Sequence, residues 1–298
     1  MMFTRPESEV IQIYQSLQEQ QYHLTLPSDA TYIEYPLHQC SLTYAELAPL
    51  TSVRTSAIAK KIPNAYMSVV YIISGHGTWF NSKGFQHLAP GQLLFFNAAS
   101  EFTFHFSSRY QVVSFNFPEY LLPRLPTQGF AFDLVHEESQ VLRLALTSVL
   151  AQVRAGVHSE ELTARFLEQA LLAPLIDCVS AYQQKREASV SYKKLCSIQQ
   201  LIFNASADDN FTIEALCDNA QISKRYLHKL FAMTPYHAND FIYQTRLIHG
   251  FQLMVTQNNQ HLSILDIAIH SGFKSQAHFS RLFKRTFALT PSALLSRL

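Results

Sequence analysis

The stretch SGFKSQAHFSRLFKR, Ser271 to Arg285, sets a glycine, a serine and a row of basic residues around a few regularly spaced apolar positions. Gly272 can take the left-handed backbone that ends a helix, and Ser275 can cap the next one. Upstream, HLSILDIAIHSGF has helical apolar spacing at Ile264, Ile267 and Ala268. Ser263 and Asp266 stand three apart as in a capping box, with Asp in place of the commoner Glu or Gln. Downstream, Phe279, Leu282 and Phe283 fall on the inward side of a second helix. Two short helices joined by a tight glycine turn make a helix-turn-helix.

The same arrangement occurs 52 residues earlier, in TIEALCDNAQISKRYLHKLF. Ser223 matches Ser275, Leu227 matches Phe279, Leu230 matches Leu282 and Phe231 matches Phe283. Ala215 matches Ile267, and Ala220 stands where Gly272 does. Between the two units, roughly Ala238 to Gln257, Phe241, Ile242, Leu247 and Leu253 give a long helical pattern suited to a rigid connector.

This geometry fits double-stranded DNA. A recognition helix enters the major groove with its early residues toward base edges, and two on one connector can reach successive grooves. The outward positions are Arg225, Tyr226, His228 and Lys229 in the first unit, and Gln276, Ala277, Ser280 and Arg281 in the second, followed by Lys284. Arg and Gln pair with guanine and adenine edges, and Lys suits phosphates. One such pattern in a helical protein is often packing alone, and basic residues on one helix are usually a solvated face. Here the charge changes with the repeat. Residues 190–298 carry 11 Lys and Arg against 6 Asp and Glu, whereas residues 1–189 carry 12 against 16. A basic tail behind an acidic front points to an anionic partner for the tail.

Residues 192–298 resemble the DNA-binding domain of the AraC/XylS family of bacterial transcription regulators. IAIHSGFKSQAHFSRLFKRTFALTP follows the family pattern nearly throughout, including Gly272, Phe273, Ser275, Phe279, Arg281, Phe283, Lys284 and Pro291. Arg246 matches the family's usual arginine on the connecting helix. The resemblance implies base contacts at Arg225, His228, Lys229, Gln276, Ala277 and Arg281. The family's glycine after each recognition helix is replaced, by Pro235 or Tyr236 and by Ala288. His237-Ala238 stands in place of its serine-proline.

The front of the chain reads as strands. AYMSVVYIISGHGTWF, QHLAPGQLLFFNAA, EFTFHFSS and YQVVSFNF are short β-rich runs broken by turn residues. In FTFHF, Phe102, Phe104 and Phe106 share one face, leaving Thr103 and His105 on the other. Such strands predict a small antiparallel barrel or double sheet. SGHGTW and LAPGQLLFFN resemble the cupin-like sensor half of the same family, which implies a small-molecule effector. Tyr32, Tyr35, Tyr44 and Trp79 are the candidate effector-lining residues, against the commoner role of aromatics as core. A benzoate-like effector does not carry over, because no Lys or Arg lies between Arg5 and Arg54 to meet its carboxylate. His76 and His87 are single and eleven apart, without the H-x-H pair of metal-binding cupins, so neither a metal, a cofactor nor a catalytic residue is expected.

Residues 138–182 return to helical spacing. Leu142, Leu146, Val149 and Val153 form one apolar stripe, and Leu162, Phe166 and Ala170 begin another, with Pro174 expected to kink or interrupt its helix. The two helices can cover the barrel, and the family resemblance implies that they also join two copies as a homodimer. The fold expected is α+β and multidomain. Residues 1–182 form the cupin-like sensing and dimerisation domain, QQKREASVS supplies a linker at 183–191, and 192–298 form the all-α DNA-binding domain.

With 48% hydrophobic and 15% charged residues the chain can bury substantial cores and is not a disordered one. No apolar run is long enough to span a bilayer, MMFTRPESEV lacks the apolar core of a signal peptide, and Cys40, Cys178, Cys196 and Cys217 lack metal-ligand spacing. A cytoplasmic regulator is therefore expected, most simply an activator whose partners are DNA, RNA polymerase and an effector. The alternatives are a regulator without a small-molecule effector and a cupin-type enzyme fused to a DNA-binding tail.

Overall fold

The computed structural model describes residues 30–54, 66–81, 84–98, 100–106, 108–122, 138–157, 160–234, 236–256, 262–287 and 289–296. Two compact units divide the chain, residues 85–184 lying in the first and Lys185–Leu298 in the second.

Among the described residues the first unit contains nine strands: β1 Thr31–Pro36, β2 Ser41–Leu47, β3 Leu50–Arg54, β4 Tyr66–Ser74, β5 Gly77–Asn81, β6 Gly84–Leu88, β7 Leu93–Asn97, β8 Phe102–Phe106 and β9 Tyr110–Pro118. The expected small barrel takes the form of two sheets, ordered β1-β2-β9-β4-β7 and β3-β8-β5-β6. The five-stranded sheet is antiparallel throughout, with Tyr44 opposite Val113 and Val69 opposite Phe115.

That sheet is buried on both faces. Leu42, Tyr44, Val69, Phe95, Phe115 and Phe117 point into one core, while Ala45, Val70, Ile72, Leu94 and Phe96 point into another. This explains why its strands read as nearly continuous apolar runs, MSVVYIIS and LLFFN, and not as an alternation. The first core is completed by α1 (Glu138–Arg154) and α2 (Glu161–Ala188). The second is completed by Trp79 and Phe106 of the four-stranded sheet. The layers are thus helices, sheet, sheet.

In α1 the expected stripe Leu142, Leu146, Val149 and Val153 is buried. In α2 the expected stripe is corrected. Leu162 and Phe166 are 79% and 71% exposed, and the buried face consists of Leu167, Leu171, Leu175, Cys178 and Val179. Glu168 is also buried on that face, where its carboxylate accepts from the Gln39 and Cys40 backbone N–H groups at 2.6 and 3.0 Å. Two charge-assisted bonds thereby tie α2 to the turn between β1 and β2. Pro174 does not interrupt α2, which stays helical on both sides of it.

The stretch 183–191 is helical up to Ala188, because Gln, Lys, Arg, Glu and Ala are good helix formers. The break falls at Ser189, whose hydroxyl accepts from the Tyr192 N–H at 3.1 Å and caps the next helix. The second unit is helical: α3 Val190–Ala205, α4 Ile213–Ala220, α5 Lys224–Phe231, α6 Ala238–Thr256, α7 Ile264–His270, α8 Gln276–Phe287 and α9 Pro291–Leu295. No described helix is long and apolar enough to cross a membrane.

Candidate nucleic-acid interface

Each expected helix-turn-helix is present, α4 with α5 and α7 with α8. Ser263 and Asp266 form a complete capping box, each side chain bonding the other residue's backbone N–H at 3.2 and 3.0 Å. At the far end of α7 the Gly272 N–H donates to Ile269 O and the Phe273 N–H to Ala268 O, both at 2.9 Å. This is the Schellman ending, and it requires the left-handed backbone that Gly272 adopts at φ +84°. Ser275 then caps α8 by accepting from the His278 N–H at 3.4 Å.

The first helix-turn-helix ends α4 by the same pair of bonds, Gln221 N–H to Asp218 O and Ile222 N–H to Cys217 O. Its left-handed residue is Gln221, at φ +52°, and not Ala220 as the 52-residue offset predicts. One residue separates Gln221 from the cap Ser223, whereas two separate Gly272 from Ser275, so the first turn is one residue shorter. Ser223 caps α5 by accepting from the Tyr226 N–H at 3.2 Å.

These turns fix which side of each recognition helix faces inward. In α5, Leu227, Leu230 and Phe231 are buried, while Arg225, His228 and Lys229 are exposed and Tyr226 is half-buried. In α8, Phe279, Phe283 and Phe287 are buried and Leu282 is only half-buried, because Phe287 takes the third inward position. Gln276, Ala277, Arg281 and Lys284 are exposed and Ser280 half-buried. The outer faces therefore carry every candidate contact residue. Lys224 pairs with Glu214 of α4, which ties down an ammonium at the start of α5.

The connector α6 holds the two helix-turn-helix motifs together. Arg246 is buried and donates to three backbone carbonyls of the α3–α4 loop: Nε to Ser206 O at 2.8 Å, and one terminal nitrogen to Asp208 O at 3.0 Å and Phe211 O at 2.9 Å. Gly250, mid-helix in α6, lets the second helix-turn-helix approach closely, since a Cβ there would lie 2.7 Å from Phe279 Cε2 and 2.9 Å from Ser271 Oγ. No sequence pattern singled out Gly250; its signal is a glycine kept inside a helix despite its cost. After α5, the Thr234 hydroxyl donates within the turn and accepts from the Tyr236 N–H at 3.2 Å. Pro235 and Ala288, two of the family departures, lie outside the described residues.

The effector candidates are not brought together. Tyr35 and Tyr44 are buried in the core between the first sheet and the helices, where Arg154 lies over the Tyr44 ring at 3.9 Å. Trp79 is buried in the inter-sheet core, with Tyr32 packed against it. That core is dense in rings, Phe96 meeting Phe102 at 5.0 Å and Phe104 at 5.4 Å, and Phe106 stacking on Tyr110 at 3.7 Å. Among the described residues the buried Trp79 Nε1 has no hydrogen-bond partner there. His87 Nδ1 lies 3.2 Å from the Thr78 hydroxyl, and burial lowers the pKa of its imidazole.

The family described as a helix-turn-helix domain matches residues 216–297. The chain is 34% identical over 113 residues to the regulatory protein SoxS of Escherichia coli K12, covering 37% of this chain and all of that protein. It is 28% identical over 218 residues to the transcriptional activator NphR of Rhodococcus, covering 68% of this chain and 61% of NphR. Among solved structures it is similar to the AraC-like transcriptional activator CuxR, with 13% identity, a TM-score of 0.49, and 90% of this chain and 97% of that one covered.

Proposed function

This chain belongs to the AraC/XylS family of bacterial transcription regulators, and from that membership we propose that it is a sequence-specific DNA-binding activator acting in the cytoplasm. The observation that carries the reading is the pair of capped helix-turn-helix units on one connector, each turning its polar and basic residues outward. Recognition helices α5 and α8 enter successive major grooves. Arg225, His228, Gln276 and Arg281 read base edges, with Tyr226, Ala277 and Ser280 beside them, and Lys229 and Lys284 meet phosphates. NphR is named a transcriptional activator, which supports activation through RNA polymerase.

Residues 1–182 are the sensing and dimerisation domain, and 192–298 the DNA-binding domain. Exposed Leu162, Phe166, Ala173 and Ile176 follow, with Gln169, a four-three repeat along α2, the spacing of a coiled-coil seam. A second copy covers this seam, and the dimer gains affinity by engaging two DNA sites. An effector held between the sheets would meet Trp79 and Tyr32 and leave Tyr35 and Tyr44 as core. The ring-filled space between the sheets favours a second reading, a regulator without a small-molecule effector, governed by abundance or by a protein partner.

The test is selection of sites from a random DNA library by the full-length protein, followed by affinity measurements on the winner. Two short preferred blocks about one helical turn apart are expected. Arg281→Ala should cost about 1–3 kcal/mol and relax preference in one block. Enrichment of no motif, with weak and steeply salt-dependent binding alone, would reduce the tail to a basic surface.

A further inference from the structure

One ionisable side chain on the first turn of α8 stands outside the candidate contacts. His278 is half-buried, with its ring set edge-on to two others: Tyr243 of α6 at 5.1 Å and 72°, and Phe273 of the preceding turn at 5.6 Å and 81°. Turning the imidazole away would lose both contacts, so its position is defined before any ligand arrives. The Arg246 guanidinium lies 5.7 Å from the centre of the same Tyr243 ring.

The charged groups that act on this imidazole come from its own helix and from the connector α6. Arg281 and Arg285 belong to α8 and Arg246 to α6, and no carboxylate is among them. The residue facing it from the turn, Phe273, is uncharged. Burial first, and then the three guanidiniums, hold the imidazole below the ordinary histidine value, which favours its neutral form in the free protein. Asp208 and Asp209 act on Arg246, but among the described residues no carboxylate acts on the imidazole itself, so an anion that meets it comes from outside. A phosphate brought to this edge of α8 reverses the local field and favours the imidazolium.

We propose that His278 is a phosphate contact of the second recognition helix and that DNA binding is coupled to protonation of its imidazole, an inference that rests on the DNA-binding reading above. The sign follows from linkage. DNA raises the imidazole's proton affinity, so binding tightens as pH falls through the DNA-bound titration point and levels off below that of the free protein. Between those points the affinity changes by up to about tenfold per pH unit.

The experiment uses the full-length protein and its selected site, with affinity measured at fixed salt from about pH 5.5 to pH 8. Net proton uptake by the unmodified protein is read by titration calorimetry in buffers of different ionisation heat. Tighter binding toward acid pH and uptake approaching one proton are expected. His278→Gln should flatten the pH dependence. His278→Lys carries a permanent charge and should bind at pH 8 as tightly as the unmodified protein does at the acid end. An unchanged slope in His278→Gln, or no proton uptake by a protein that binds its site specifically, overturns the proposal and leaves the DNA-binding reading standing. Failure to bind any site specifically overturns that reading, and this proposal with it.

Discussion

The carbonyl oxygen of Ser206 occupies the space that a side chain at Gly272 would need: a Cβ built on Gly272 lies 2.2 Å from it and 2.8 Å from Arg246 Nε. The glycine thus answers two demands, a left-handed backbone at the end of α7 and close approach of that turn to the loop before α4. Gly272→Ala should therefore destabilise the second unit by more than about 3 kcal/mol, beyond the cost of left-handed backbone alone. Thermal unfolding of the variant beside the unmodified protein checks this. A loss near 1 kcal/mol would mean that the approach relaxes easily.

Arg246 is a structural clamp in this geometry. Its three acceptors are backbone carbonyls around residues 206–211, and none is a group that leaves with DNA. Arg246→Lys keeps the charge and loses the planar fork, so at least one buried carbonyl is left without its donor. The expected cost is about 1–3 kcal/mol. Affinity for DNA should fall while its salt dependence stays the same, because no phosphate contact is removed.

The second helix-turn-helix was legible because its signals are local: a capping box, a glycine turn and a serine cap, all within Ser263–Ser275. The first was legible as a helix-turn-helix but not in its turn, since a fixed 52-residue offset cannot register a turn that is one residue shorter. Gln221 consequently bears the left-handed backbone without the residue that suits it. Gln221→Gly should stabilise the protein by about 1 kcal/mol, read as a higher unfolding temperature with site preference unchanged. Destabilisation would mean that the Gln221 side chain makes contacts outweighing its backbone strain.

Periodicity finds apolar stripes but does not say which one faces the protein. α2 carries two, and the stripe begun by Leu162 and Phe166 lies outside because Leu167, Leu171 and Leu175 fill the inner face. Strand alternation gave a clearer warning for the effector candidates. Tyr32 and Tyr35 stand three apart in β1 and so lie on opposite faces of the sheet, which excludes a shared pocket.

The outer stripe of α2 gives a test of assembly. Phe166→Glu replaces a side chain that is 71% exposed within the chain, so the isolated fold should change by less than about 0.5 kcal/mol. If a second copy covers the seam, the substitution introduces a charge on each side of it and weakens the dimer. Sedimentation at several concentrations should then report monomer where the unmodified protein reports dimer. An unchanged dimer would place the interface elsewhere.

The first unit should also lose stability in mild acid. Burial lowers the His105 imidazole from 6.5 to about 4, so the folded state holds it neutral while the unfolded chain binds a proton readily. Its contribution is fully present above about pH 6.5 and is lost progressively as pH falls toward 4, on the order of 3 kcal/mol in all. His105→Gln removes the titration and should flatten the stability profile over that window, even if it lowers stability at neutral pH by disturbing the row of Thr51, His105 and Thr78 across the sheet. Urea unfolding of both proteins at several pH values reads the slope. Parallel profiles would mean that the acid sensitivity of this unit belongs to other groups.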